Sequence, residues 1–123
     1  MTSTRRPGGD DSPVHERVLD ALGDPTRRRI LGLVGERGDA TATELADDLA
    51  ISRQAVAKHL DLLRAAGLTE VERVGREARH RVRPATLEAT ARWIADQGRA
   101  WEGRLGRIGG ELARRRDSSS ATH

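Results

Sequence analysis

The 123 residues carry 22 Lys+Arg against 19 Asp+Glu, a formal charge of +3, with 36% hydrophobic residues, the profile of one small domain. No run approaches the roughly 18 apolar residues of a membrane helix, and the absence of Cys excludes disulfide frameworks, thiolate metal sites and cysteine nucleophiles. Two Trp are the only aromatic residues, too few for the stacking platforms of single-strand binders, whereas duplex DNA bound by charge and by a helix remains compatible.

Residues 1–11 and 114–123 are polar and without periodicity, so both read as disordered tails, the second basic through Arg114, Arg115 and Arg116. Arg5-Arg6 leads into Pro7-Gly8-Gly9-Asp10-Asp11 and not into an apolar export segment, which points to the cytoplasm. The folded unit expected between them spans 12–113. Ser12-Pro13 reads as an N-cap followed by proline at the first helical position, opening a helix over about 13–22 with Val14, Val18, Leu19 and Leu22 at helical spacing. Gly23 ends it. Asp24-Pro25 repeats the same start for a second helix whose inward stripe is Ile30, Leu31 and Val34, closing near Gly38. The Arg27-Arg28-Arg29 triplet on its first half reads as a solvated face with one arginine paired to an acid, or else as a phosphate contact.

Thr41-Ala42-Thr43-Glu44 fits a capping box ahead of Leu45, Ala46 and Leu49. This third helix stops at Ala50-Ile51. Ser52 then caps a fourth, with Val56, Leu60 and Leu63 turned inward and Gly67 as its stop. Beyond Gly67 the period becomes alternating over Leu68–Val74 and Ala78–Arg83 around Gly75-Arg76-Glu77, which reads as a β-hairpin. Its second strand would place Ala78, His80 and Val82 on one face and Arg79, Arg81 and Arg83 on the other, a row of guanidinium groups at period two. Pro84 opens a last helix reaching about Ala113, along which Leu87, Ala91, Ile94, Gly98, Trp101, Leu105, Ile108 and Leu112 follow the a/d rhythm of a coiled coil. Such a seam asks for a partner helix, and its glycines leave the helix dependent on packing.

Helix, tight turn, helix and an arginine-bearing hairpin form the order of a winged helix-turn-helix: a mainly α fold with a small hairpin, α-α-α-α-β-β-α. The fourth helix suits a major groove about 12 Å wide. Its outer face presents Arg53, Gln54, Ala57 and Lys58, with Asp61 at the margin. Arg53 can address guanine, Gln54 adenine, and the Ala57 methyl a thymine methyl. Ser52, Lys58 and His59 suit phosphates, Ser52 being equally well explained as a cap and His59 as a structural histidine. Arg73, Arg76, Arg79 and Arg81 add a basic wing. No histidine or carboxylate spacing marks a metal site, and no phosphate loop, nucleophile elbow or catalytic triad is legible, so neither cofactor nor enzyme is expected.

The runs Leu22-Gly-Asp-Pro-Thr-Arg-Arg-Arg-Ile-Leu31, Thr43-Glu-Leu-Ala46, Ile51-Ser-Arg-Gln-Ala-Val-Ala-Lys-His-Leu60, Leu63-Arg-Ala-Ala-Gly-Leu68 and Gly75-Arg-Glu-Ala-Arg-His-Arg-Val82 resemble the ArsR/SmtB family of bacterial winged-helix repressors over about residues 14–112. The resemblance implies a homodimer joined by the first and last helices, with Val14, Val18, Leu87, Ile94, Trp101, Leu105 and Ile108 at the interface. It also implies repression by occupying an operator in double-stranded DNA. It stops at metal sensing. The segment Leu45-Ala-Asp-Asp-Leu-Ala50 lacks the thiols of that family's cysteine-rich motif, and residues 84–113 contain no His, so the chain resembles a metal-independent branch whose effector is unknown. Trp93 and Trp101 read as dimer-core packing or, alternatively, as part of an effector pocket. Three other readings remain: a winged helix serving as a protein-interaction module, a small enzyme, and metal sensing through Asp96, Glu102 or Glu111 with His123.

Overall fold

The computed structural model describes residues 11–121, of Ile108 and residues 111–121 the backbone alone. Five helices and one hairpin follow in the order α1 (Ser12–Leu22), α2 (Pro25–Arg37), α3 (Ala42–Leu49), α4 (Arg53–Ala65), β1 (Thr69–Val74), β2 (Glu77–Val82) and α5 (Pro84–Ala121).

Local chemistry explains most boundaries. The Asp24 carboxylate accepts from the backbone N–H of Thr26 and Arg27, capping α2 ahead of Pro25. The Thr41–Glu44 capping box is complete: the Thr41 hydroxyl accepts from Glu44 N–H at 3.1 Å and Glu44 Oε1 accepts from Thr41 N–H at 2.9 Å. Ser52 Oγ accepts from Ala55 N–H at 3.0 Å and starts α4. That helix ends in a Schellman closure, with Gly67 N–H on Arg64 O at 2.9 Å and Leu68 N–H on Leu63 O at 2.9 Å. The closure needs Gly67 at φ +79, where a β-carbon is unfavourable. At the N-terminus the cap of α1 is Asp11, one residue earlier than expected, and Ser12 is already helical. Both residues precede Pro13 and both types cap, so sequence alone does not choose between them.

β1 and β2 pair antiparallel from Thr69↔Val82 to Val74↔Glu77, so the connection is two residues long and not three. Gly75 at φ +63 followed by Arg76 outside the positive-φ region is the pattern of a type II′ turn, which matches strand twist. A single pair extends the hairpin: Ala40 and His80 exchange backbone hydrogen bonds of 3.0 and 2.8 Å. This bridge, from the residue just before the α3 cap, has no signature in sequence.

The described residues fall into two units, divided between Thr90 and Ala91 inside α5. The core of the first is built by Val18 and Ala21 of α1, Ile30, Leu31 and Val34 of α2, Leu45 and Ala46 of α3, and Val56, Leu60 and Leu63 of α4, closed by Ala40 and Leu68. Val18 therefore belongs to the protomer's own core and not to a subunit interface, because it is wholly buried within the single chain while Val14 and Leu19 on the same helix stay exposed. Leu87 packs half-buried on that core. Thr90 and His15, both buried, share a hydrogen bond of 2.8 Å. Arginines at the start of α2 link it to the C-terminus of α1: Arg27 Nε donates to Ala21 O at 2.7 Å and Arg28 Nη1 to Leu22 O at 2.6 Å, satisfying carbonyls that α1 leaves open.

In the second unit the helix runs to Ala121, past the expected end at Ala113 and through most of the segment read as a disordered tail. No proline or glycine follows Gly110, so nothing in the chain obstructs helical backbone there. Residues 1–10 and 122–123, including the rest of both expected tails and His123, lie outside the described residues, as does the side chain of Ile108.

Candidate nucleic-acid interface

The inward row Val56, Leu60 and Leu63 fixes the rotation of α4, so Ser52, Arg53, Gln54, Ala57 and Lys58 face solvent. The αL conformation of Ala50 at φ 54 turns the chain between α3 and α4 in three residues. Two clefts flank the exposed face. Arg53, Gln54, Ala57, Asp61 and Arg64 line one with Val71 and Ala78 of the hairpin. Arg53 also enters the other, where it meets Arg73 and Arg76 from the hairpin tip, His80, and the carboxylates of Glu44 and Glu77.

The structure thus brings Arg53, Gln54, Ala57, Arg73 and Arg76 to one surface, and adds Arg64, which the sequence reading left out. It separates the others. His59 is half-buried, its Nδ1 enclosed without a hydrogen-bond partner among the described residues, and it lines neither cleft. Lys58 is exposed but lines neither cleft. The expected row of guanidinium groups along β2 is not free: Arg81 pairs with Glu72 at 2.5 Å, and Arg79 is held by Asp39, Glu77 and Glu44 at 2.9, 2.9 and 3.3 Å. The signal for these partners was the acid content of the hairpin itself, Glu72 and Glu77, directly across or beside the arginines.

Several carboxyls are held below their ordinary range. Asp24 is lowered chiefly by the Arg27 backbone N–H, Asp39 by the Arg79 guanidinium, and Glu44 by the Thr41 backbone N–H. His80 is lowered too, because burial disfavours its charged form more than nearby Asp61 favours it. In every case the unfolded chain binds the proton at higher pH than the folded one, so stability is complete above the unfolded pKa and is lost as pH falls. Thermal unfolding followed by circular dichroism should show the melting temperature declining in two stages. The first starts near pH 6.5 as His80 titrates, the second below about pH 4 as the carboxylates do. A melting temperature flat from pH 7 to about 3 contradicts this assignment.

Among the described residues no group of three or more His, Asp or Glu is placed to hold a metal ion, and no helix is long and apolar enough to cross a membrane.

A helix-turn-helix domain family matches residues 22–72, from the end of α1 through most of β1. Over 67 residues, half of this chain and 73% of the relative, the sequence is 45% identical to the uncharacterized HTH-type transcriptional regulator YuzN of Bacillus subtilis. It is 32% identical over 77 residues to the transcriptional repressor SdpR of the same organism, covering 63% of this chain and 84% of SdpR. Among solved structures, an ArsR-like transcriptional regulator from Rhodococcus sp. RHA1 superposes with a TM-score of 0.72 at 45% identity, covering 79% of this chain and 91% of that one.

Proposed function

This chain belongs to the ArsR family of winged helix-turn-helix, DNA-binding transcriptional regulators, and we propose that it is a cytoplasmic homodimeric repressor acting on the promoter of its own operon. The observation that carries the reading is the exposed Arg53, Gln54 and Ala57 face of α4, set beside Arg73 and Arg76 of the wing. A helix presented this way enters a major groove with its N-terminal residues at base edges, while the wing reaches the flanking backbone. Arg53 and Gln54 read bases, Ala57 meets a thymine methyl, and Ser52 and Lys58 contact phosphates. A second copy joined through the α5 seam presents an equivalent helix, so the operator is an imperfect inverted repeat with half-sites about one helical turn, roughly 34 Å, apart. SdpR is itself a repressor, which supports the negative sign of the regulation.

The test is a fluorescence-anisotropy titration of duplex DNA from upstream of the protein's own gene, at two salt concentrations and with scrambled competitor. Tight, competitor-resistant binding with two protomers per site is expected, weakening steeply with salt because bound arginines displace counterions. Failure to bind any duplex, across a selection from random sequences as well, overturns DNA recognition in favour of a protein-docking role for the winged helix.

A further inference from the structure

Arg79 lies where β2 passes the start of α3, and its side chain is 20% exposed. Nε and Nη2 both donate to Asp39 Oδ1, at 3.1 and 2.9 Å; Nη2 also reaches Glu44 Oε1 at 3.3 Å, and Nη1 donates to Glu77 Oε1 at 2.9 Å. The same Glu44 oxygen closes the α3 capping box. One guanidinium therefore ties the wing to the loop before α3 and to the first turn of α3. β2 also meets that region through the Ala40–His80 bridge, and a two-stranded hairpin depends on such anchors because on its own it is marginal in water.

Two of the three carboxylates, Glu44 and Glu77, line the same cleft as Arg53, Arg73 and Arg76. Those three arginines make no ion pair with any carboxylate among the described residues, whereas Arg79 is surrounded by them. Without Arg79 the cleft would set its three arginines against the two uncompensated acids Glu44 and Glu77 and keep a surplus of only one positive charge. With it, the acids are occupied and the outer guanidinium groups remain available to an anion.

We propose that Arg79 is a positioning residue for DNA binding and not a phosphate contact: it locks the wing to α3 and occupies the neighbouring carboxylates, so that Arg73 and Arg76 seat one backbone phosphate of the duplex while Arg53 stays free for its base. The proposal rests on the DNA-binding reading above. It opposes what the alternation of β2 suggests, a free arginine row in which Arg79 would itself touch phosphate, and the two accounts differ in sign.

The experiment titrates the full-length protein against a fluorescent random-sequence duplex from about 50 to 200 mM salt, where the slope of log affinity against log salt counts phosphate contacts at roughly 0.9 each. Arg79→Met is expected to weaken binding about tenfold at fixed salt with the slope unchanged. The double variant Arg79→Met with Glu77→Gln recovers part of that loss by removing the exposed charge. Arg76→Met, as the comparison, lowers the slope by about 0.9 for each bound protomer. Asp39→Asn, which keeps the guanidinium but removes the charge of its main tether, also weakens binding. Should Arg79→Met lower the slope as Arg76→Met does, or Asp39→Asn tighten binding by releasing the guanidinium, the proposal is overturned. Asp39→Asn decides the matter even where Arg79→Met fails to fold. A wild-type protein that leaves the duplex free overturns the DNA-binding reading first, whereas a wild type that binds with an Arg79-dependent slope overturns only the role given to Arg79.

Discussion

Ala57→Glu should reduce operator affinity by about a hundredfold or more while leaving the fold and its melting temperature nearly unchanged. Ala57 is exposed on α4, one turn beyond Arg53 and in the same cleft as Gln54. Glutamate is a good helix former, so an exposed helical site accepts it at little cost. In a major groove the same side chain replaces a methyl contact with a carboxylate between two phosphate strands, and it reaches back toward Arg53 and competes for it. Losing the apolar contact and a bidentate base contact amounts to about 1–3 kcal/mol each, and the added repulsion takes the total past the roughly 2.7 kcal/mol that a hundredfold change represents. Arg53→Ala behaves differently, relaxing preference at one or two base pairs in a binding-site selection. Equal operator affinity for Ala57→Glu and the natural protein would mean that α4 does not enter a groove.

The elements that sequence disclosed are those whose cause is local. Asp24-Pro25, the Thr41–Glu44 box and Ser52 each place a cap and its partner within three residues, so the starts of α2, α3 and α4 are written in the chain as well as in the structure. The exposed face of α4 was legible for the same reason, since three inward positions fix where the others point. What stayed hidden depends on contacts across long separations. The alternation of β2 puts Arg79 on one strand face with Arg81 and Arg83, but its partners are Asp39 and Glu44, 40 and 35 positions earlier. The Ala40–His80 bridge is a single residue pair with no periodicity to detect. Val18 and Val14 share a helical stripe, yet one is enclosed by the protomer's core and the other is open, and spacing cannot state what a stripe packs against. The helix end misled because Ser118, Ser119 and Ser120 lower helix propensity without forbidding helix, and only proline or glycine obstructs the backbone strongly.

Glutamate at both Trp101 and Leu105 should convert the protein to monomers and lower operator affinity by about 10²–10⁴-fold, the loss expected when two linked half-site contacts become independent. Ile94, Trp101 and Leu105 are 46%, 56% and 57% exposed, and their spacing of seven and four residues keeps them on one stripe of α5. A helix in water gains nothing by leaving a tryptophan and two branched side chains exposed. The part of the Trp101 indole still exposed amounts to about 85–140 Å² out of the roughly 150–250 Å² such a side chain buries, worth about 2–3.5 kcal/mol at roughly 25 cal/mol per Å², and a two-fold axis supplies that burial twice. Carboxylates at the same positions would meet their symmetry mates across a dry seam, where like charges repel and each loses its hydration. Because the core of residues 1–90 is complete without α5 beyond Thr90, the melting transition of that unit should survive the change. Light scattering should then report the single-chain mass of 13.4 kDa, and the salt slope for operator binding should fall to about half, since one protomer covers half the phosphates. A protein that stays dimeric with both glutamates in place would move the interface to another surface, the exposed Val14 and Leu19 of α1 being the next apolar pair available.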